Sequence, residues 1–141
     1  MALARLYQQV ILDHNRSPRH FGRLAEATHS ARGRDGLCGD DILVELRLVA
    51  GRIEQAAFSG QACAITTASA SMLMEWLHGK GRDEVERAGQ RFARLLDEPQ
   101  LPDEASLGQI NQLRAVAGFP ARVRNALLPW RTVARALSGQ A

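Results

Sequence analysis

The alternation Ile42, Val44, Leu46, Leu48 constrains this chain more than any other stretch. Successive side chains of an extended strand point to opposite faces, so these four line one buried face while Glu45 and Arg47 point to water. Ala50-Gly51 follows at once, and an apolar pattern resumes from Ile53 to Ser59, which reads as a return strand through a two-residue turn. Continued down the ladder, that turn sets Cys38 opposite Cys63. One irregularity stands out: Phe58 falls on the face opposite Ile53, so both faces of the return strand are expected to be partly covered.

Around this hairpin the remaining pattern is helical. Residues 3 to 14, with Leu3, Leu6, Val10 and Ile11 in register, form a first helix stopped by Asn15 to Pro18. A Gly- and Arg-rich connection contains an edge strand near Ala27 to Ala31. From Ala64 to His78 the spacing of Ile65, Ala68, Met72, Trp76 and Leu77 predicts a helix ended by Gly79. Asp83 is placed to cap a further helix reaching Asp97, and Pro99 and Pro102 then break the chain. Ser106 caps a short helix carrying Leu107, Ile110 and Leu113. Pro120 suits the first turn of a long final helix with Val123, Leu127, Trp130, Val133 and Leu137 inward. Inside it Pro129 lacks an amide hydrogen and leaves the Asn125 carbonyl without its usual partner, so a kink or local opening is expected there.

With 141 residues, 45% of them hydrophobic, residues 1–141 are expected to form a single domain that needs no disulfide staples. No 18-residue apolar run and no secretory leader is evident, so a cytoplasmic protein with no membrane partner is expected. In that reducing compartment two cysteines point to metal or sulfur chemistry rather than to a disulfide. The net charge of +3 sets 18 basic residues, all but Lys80 of them arginine, against 15 acidic ones. Its densest basic stretch, His14 to Arg34, has Phe21 as its lone aromatic and no nucleic-acid motif, so a solvated surface is expected ahead of an acidic protein partner, with nucleic acid last. His14 and His78 read as surface histidines, and Met72, Trp76 and Trp130 as core.

The two cysteines lie in Cys38-Gly39-Asp40 and Gly60-Gln61-Ala62-Cys63. Cys38 and Asp40 project from the same side of a strand, so two sulfurs and a carboxylate converge across the hairpin as three ligands, with a fourth to come from elsewhere. Cys63 also opens a helix, where the partial positive charge of the N-terminus favours a thiolate. Two alternatives stay open. Asp41 replaces Asp40 as ligand if a bulge shifts the register, and both cysteines could be small buried residues of a hairpin.

Leu6-Tyr7 through Val10, Asp13-His14, Pro18-Arg19, Gly22, Cys38-Gly39-Asp40, Gly60, Cys63, Ala68-Ser69-Ala70-Ser71-Met72 and Phe119-Pro120-Ala121-Arg122, in that order, resemble the U-type iron-sulfur cluster assembly scaffold family (NifU N-terminal and IscU-like domains), and its Suf-type branch most closely. The resemblance implies an α+β fold: a small antiparallel sheet of about three strands covered by helices, with an N-terminal helix and a long C-terminal helix. It implies a protein that binds zinc, iron or a transient iron-sulfur cluster at Cys38, Asp40 and Cys63, works with a cysteine desulfurase and other iron-sulfur assembly proteins, and acts as a scaffold more than as an enzyme. The family's third cysteine is absent, and Asn125 stands in its place. An asparagine amide can neither attack a persulfide nor bridge iron, so a sulfur-acceptor role passes to Cys63 or Cys38, as in a zinc-dependent sulfurtransferase. Losing one of four ligands, each worth on the order of 3 kcal/mol, weakens zinc about 100-fold and leaves a position open to water, a partner's thiol or, weakly, the Asn125 oxygen. A regulator of the desulfurase without sulfur chemistry is the third reading. Arg122 and Arg124, close before Asn125 on the same helix, are solvated or attract an anionic sulfur species or the desulfurase.

Overall fold

A computed structural model describes the backbone of residues 2–139 and the side chains of residues 9–139. The inward spacing expected of Leu3 and Leu6 lies outside the described side chains. The fold is α+β: α1 (Ala2–Arg16), β1 (His29–Asp35), β2 (Asp40–Val49), β3 (Arg52–Gln61), α2 (Ala64–Trp76), α3 (Arg82–Asp97), a 3-10 segment (Ala105–Val116) and α4 (Pro120–Leu137). The strands form one antiparallel sheet in the order β1-β2-β3.

The hairpin forms where the alternation requires it, but its register changes part-way. Val49 pairs with Arg52 and Leu48 with Ile53, whereas Arg47 pairs with Gln55 and Val44 with Phe58. Glu54 is the extra residue of a bulge. That insertion puts Ile53, Ala56 and Phe58 on one face, all of them buried, while Ala57 is buried on the other face beside Glu45, so the parity mismatch at Phe58 marks a bulge in a strand that is also partly covered on both sides, as expected. It also removes the expected Cys38-to-Cys63 pairing. Asp41 meets Gln61, β2 begins only at Asp40, and Cys38 lies in the turn that joins β1 to β2.

The helices cover the face that carries Ala31, Ile42, Val44, Leu46 and Phe58, and α4 lies against both β1 and α2. The approach of α4 is close. A Cβ on Gly33 would fall 2.0 Å from the Thr132 Oγ1, which is why β1 presents small residues there. This strand occupies His29–Asp35, later than expected, because only Ala31 and Gly33 point inward and neither registers as hydrophobic periodicity. On the opposite face Glu45 is buried rather than solvated: Arg23 Nε donates to it at 2.9 Å and the Leu24 amide at 3.1 Å, as the 20–24 segment wraps the sheet.

The helix limits carry smaller corrections. In α3 the first turn is closed by the Glu84 carboxylate accepting the Gly81 amide at 3.0 Å, with Asp83 inside the helix. The segment around Leu107 is a 3-10 helix preceded by Glu104 rather than by Ser106, and Gly108 interrupts it at φ 53. Gly79 follows α2 at φ 80, the left-handed geometry that stops a helix. Helix α4 passes through Pro129 without interruption. Trp130 is buried between Trp76 and Phe92, with ring centroids 5.5 and 5.6 Å away.

Candidate metal and sulfur site

Asp40, the first residue of β2, shares the parity of Ile42 and Val44 and so points toward the helices, with 2% of its surface exposed. Its Oδ1 accepts the Cys63 amide at 2.8 Å. Its Oδ2 accepts the Thr66 hydroxyl at 2.5 Å and the Asn125 amide nitrogen at 3.1 Å. Thr66 and Asn125 are themselves fully buried. Four donors and acceptors thus come together from β2, the start of α2 and the middle of α4. A carboxylate removed from water in this way is stable only because protein donors replace its hydration. Asp41 projects from the other face into Arg32 at 2.9 Å and Arg34 at 3.5 Å, where its carboxyl is held below its ordinary value, by the Arg32 hydrogen bond first.

Cys63 is the N-cap of α2, with an extended backbone and its sulfur 3.5 Å from the Thr66 amide that donates to it. The Thr66 hydroxyl lies 3.3 Å from the same sulfur, and Asp40 Oδ2 lies 3.9 Å away. Gly60 makes this arrangement possible at the end of β3. Its φ is +112, and a Cβ there would strike the Asp41 carbonyl oxygen at 2.2 Å, so glycine is the residue that lets the chain leave the sheet and deliver Cys63 beside Asp40.

Cys38 is held differently. Its sulfur lies 3.9 Å from Arg124 Nη2, and the same guanidinium donates through Nε to Asp35 at 2.8 Å. Asp35 also shapes the turn, its carboxylate accepting the Leu37 amide at 3.0 Å and its carbonyl the Cys38 amide at 3.2 Å. The hydrogen bond from Arg124 holds the Asp35 carboxyl below its ordinary value, and Asp35 in turn raises Arg124. Both cysteines are free and partly exposed.

The contacts of three residues escape a reading of the sequence alone. Thr66 bonds both Asp40 and Cys63, and the spacing Cys63-Ala64-Ile65-Thr66, an N-cap and the third helical residue, is the signal that points to it. Arg124 is the residue that engages Cys38. His14 is buried at 2% exposure instead of lying on the surface, with Nδ1 2.7 Å from Ser71 Oγ and Nε2 3.2 Å from Gln109 Oε1, and it ties α1 to α2 and the 3-10 segment. His78 is exposed as expected.

As the chain is folded, Asp40 Oδ2 and Cys63 Sγ lie close to the separation of about 3.5 Å that two ligands keep on one tetrahedral ion. Cys38 stands apart with Arg124. Among the described residues no three His, Cys, Asp or Glu side chains are gathered so that they could hold a metal ion. The residues therefore fit a two-donor seat with a second sulfur, the third possible donor, on an adjoining turn, not a closed structural centre.

Comparison with known proteins places this geometry in context. The model of the NifU-like N terminal domain matches residues 6–126. The chain is 31% identical, over its full length and 90% of the relative, to the iron-sulfur cluster assembly scaffold protein IscU of Streptococcus pyogenes serotype M1. It is 32% identical, over 94% of its length and 90% of the relative, to the zinc-dependent sulfurtransferase SufU of Bacillus subtilis (strain 168). A crystal structure described as a putative iron-sulfur cluster assembly scaffold protein for the SUF system, from Fervidobacterium islandicum AW-1, superposes with a TM-score of 0.82 at 28% identity, covering 92% of this chain and 94% of that one.

Proposed function

The chain belongs to the NifU-like N-terminal domain family, and on that footing we propose that it serves iron-sulfur cluster assembly, taking iron, zinc or a nascent cluster and sulfur as cargo at Cys63, Asp40 and Cys38. The observation that carries this reading is the 3.9 Å approach of the Cys63 sulfur to the buried Asp40 carboxylate at the start of α2, with a second cysteine on the neighbouring turn. Sulfur and carboxylate at one mouth suit a thiophilic cation. Binding cargo with all three residues requires the turn at residues 36–39 to swing Cys38 away from Arg124. Gly36 and Gly39 bracket that turn, and neither has a neighbour that would meet an added Cβ. A cysteine desulfurase is the expected sulfur donor, and other assembly proteins are the expected recipients.

Sulfur transfer is the second reading, favoured by partly exposed Cys63 at a helix start, where a backbone amide already donates to its sulfur. The thiolate of Cys63 or Cys38 attacks the outer sulfur of the donor's persulfide. A new S–S bond forms on this chain, the donor's S–S bond breaks, and the donor leaves as its thiolate. Asn125 has no part in that step.

Anaerobic titration with ferrous iron and with zinc tests the first reading. One equivalent bound by the protein, and lost in both Cys63→Ser and Cys38→Ser, is expected; no binding to the unaltered chain refutes it. Mass spectrometry after incubation with desulfurase and cysteine tests the second, where two unmodified cysteines exclude acceptance of sulfur. Stimulation of the desulfurase that persists in the Cys38→Ser, Cys63→Ser double variant would instead identify a regulator without sulfur chemistry.

A further inference from the structure

Asn125 is fully buried, and both ends of its amide are engaged. The nitrogen donates to Asp40 Oδ2 at 3.1 Å, and the oxygen accepts from Arg122 Nη1 at 3.4 Å. The neighbours fix which way the amide points. A guanidinium offers only donors and must take the oxygen, while the carboxylate takes the nitrogen. Asn125 therefore turns a donor toward the site and its one metal-binding atom away from it.

From this we infer that Asn125 is a competitor of the cation and not a weak ligand for it: its amide holds Asp40 in place while no cargo is bound, and must give up Asp40 Oδ2 before an ion can bind between Asp40 and Cys63. The inference rests on the reading of the site as a cargo seat. Asp40 Oδ2 lies 3.9 Å from the Cys63 sulfur, so the oxygen an ion between them needs is one that Asn125 already occupies. Thr66 bonds the same oxygen at 2.5 Å and Cys63 supplies an amide to the other, so Asp40 has three donors without any ion. A buried carboxylate with that set is satisfied, and the fold needs no metal to keep it. An incoming cation replaces one of these donors, and the free energy of the displaced bond is subtracted from its affinity. Asn125 thus sets the site toward weak, exchangeable binding. Its effect has the opposite sign to that of a ligand.

Two variants and two measurements decide the matter. Asn125→Leu keeps the branched shape at a larger volume and removes the amide; Asn125→Ala serves if the larger side chain folds poorly. Zinc and ferrous iron affinities are measured anaerobically by competition with a chromophoric chelator. Melting is followed separately in excess chelator. The expected result is zinc bound about 10-fold more tightly by the variants than by the unaltered protein, the factor that loss of one hydrogen bond to a charged group supplies. In excess chelator the unaltered protein melts cooperatively and the variants melt about 5 °C lower, since Asp40 has lost a partner. Weaker zinc binding in the variants would make the Asn125 oxygen a ligand and overturn the inference, and so would unchanged affinity. If neither the unaltered protein nor the variants bind zinc or iron, the cargo reading fails by itself. The hold on Asp40 is then decided by the chelated melt, where an unchanged midpoint overturns it.

Discussion

The two halves of the site are built on opposite principles. Around Asp40 the carboxylate is held at 2.5 to 3.1 Å by three neutral donors, from Cys63, Thr66 and Asn125, and the contributors come from β2, the start of α2 and α4. Around Cys38 the fastening is an ion pair: Arg124, 37% exposed, holds Asp35 and touches the sulfur, and the turn between them carries Leu37, at 87% one of the most exposed apolar residues described. Neutral donors away from water resist salt and solvent competition, whereas a charge pair reached by water on its Arg124 side is partly screened, even with Asp35 only 9% exposed. The seat is thus preorganised, and the second sulfur is set on an element that moves at small cost. A carrier that must both accept and release cargo needs that division, because a fully rigid three-ligand site would keep what it bound.

The sharpest way to break this comparison is to place the same methyl group in each half. Gly60→Ala puts a Cβ into the Asp41 carbonyl at a positive φ, and about 3 kcal/mol or more of unfolding free energy should be lost in urea titration. Gly36→Ala meets nothing within 4 Å and should stay within about 0.5 kcal/mol of the unaltered protein. Equal effects would mean that the two regions do not differ in rigidity. Next in size is Thr66→Val, which keeps the shape but removes the 2.5 Å bond to Asp40. A loss of about 2 kcal/mol is expected, the usual cost of leaving a buried charged acceptor short of a donor. A stabilised Thr66→Val would show that the seat carries no electrostatic demand.

The ion-pair side is best probed by hydrogen exchange. Replacing Arg124 with Gln removes the charge that meets both Asp35 and Cys38. Exchange at the Cys38 amide relative to the Cys63 amide should then rise by up to about 5-fold, and raising salt on the unaltered protein should move the ratio the same way by less. A ratio indifferent to both changes would place Cys38 in as firm a setting as Cys63.

How much of this was legible beforehand follows from the range of each signal. The hairpin, α2 and α4 rest on local periodicity, and they stand where the pattern put them. Phe58 out of step with Ile53 was read as cover on both faces, which Ala57 and Phe58 bear out, but the same mismatch is also what one inserted residue produces, and only the observed pairing reveals the bulge. Glu45 and His14 could not be read, because polarity at one position does not show that Arg23 and Leu24, or Ser71 and Gln109, return to meet it. Asn125 was reached by resemblance alone. Nothing local announces that an asparagine in mid-helix faces a carboxylate 85 residues earlier.

The smallest effect concerns the sheet face away from the site, and it checks that the charge-based fastenings there behave as such. Glu45 is buried under the 20–24 segment, and its carboxyl is held below its ordinary value, first by the hydrogen bond from Arg23. A carboxyl depressed in the folded state binds its proton more readily when the chain unfolds. Its stabilisation is therefore complete above the unfolded-state value of about 4.3 and drains away as pH falls through the lower folded-state value. Arg23 is 72% exposed, so solvent screens the pair and the effect is modest. The melting temperature should fall more steeply with acid below about pH 4.3 in the unaltered protein than in Glu45→Gln, by about 2 °C, and 1 M salt should narrow the gap. Parallel acid profiles would show that the Leu24 amide alone holds Glu45, and that this face is fastened by neutral bonds in the manner of the Asp40 seat.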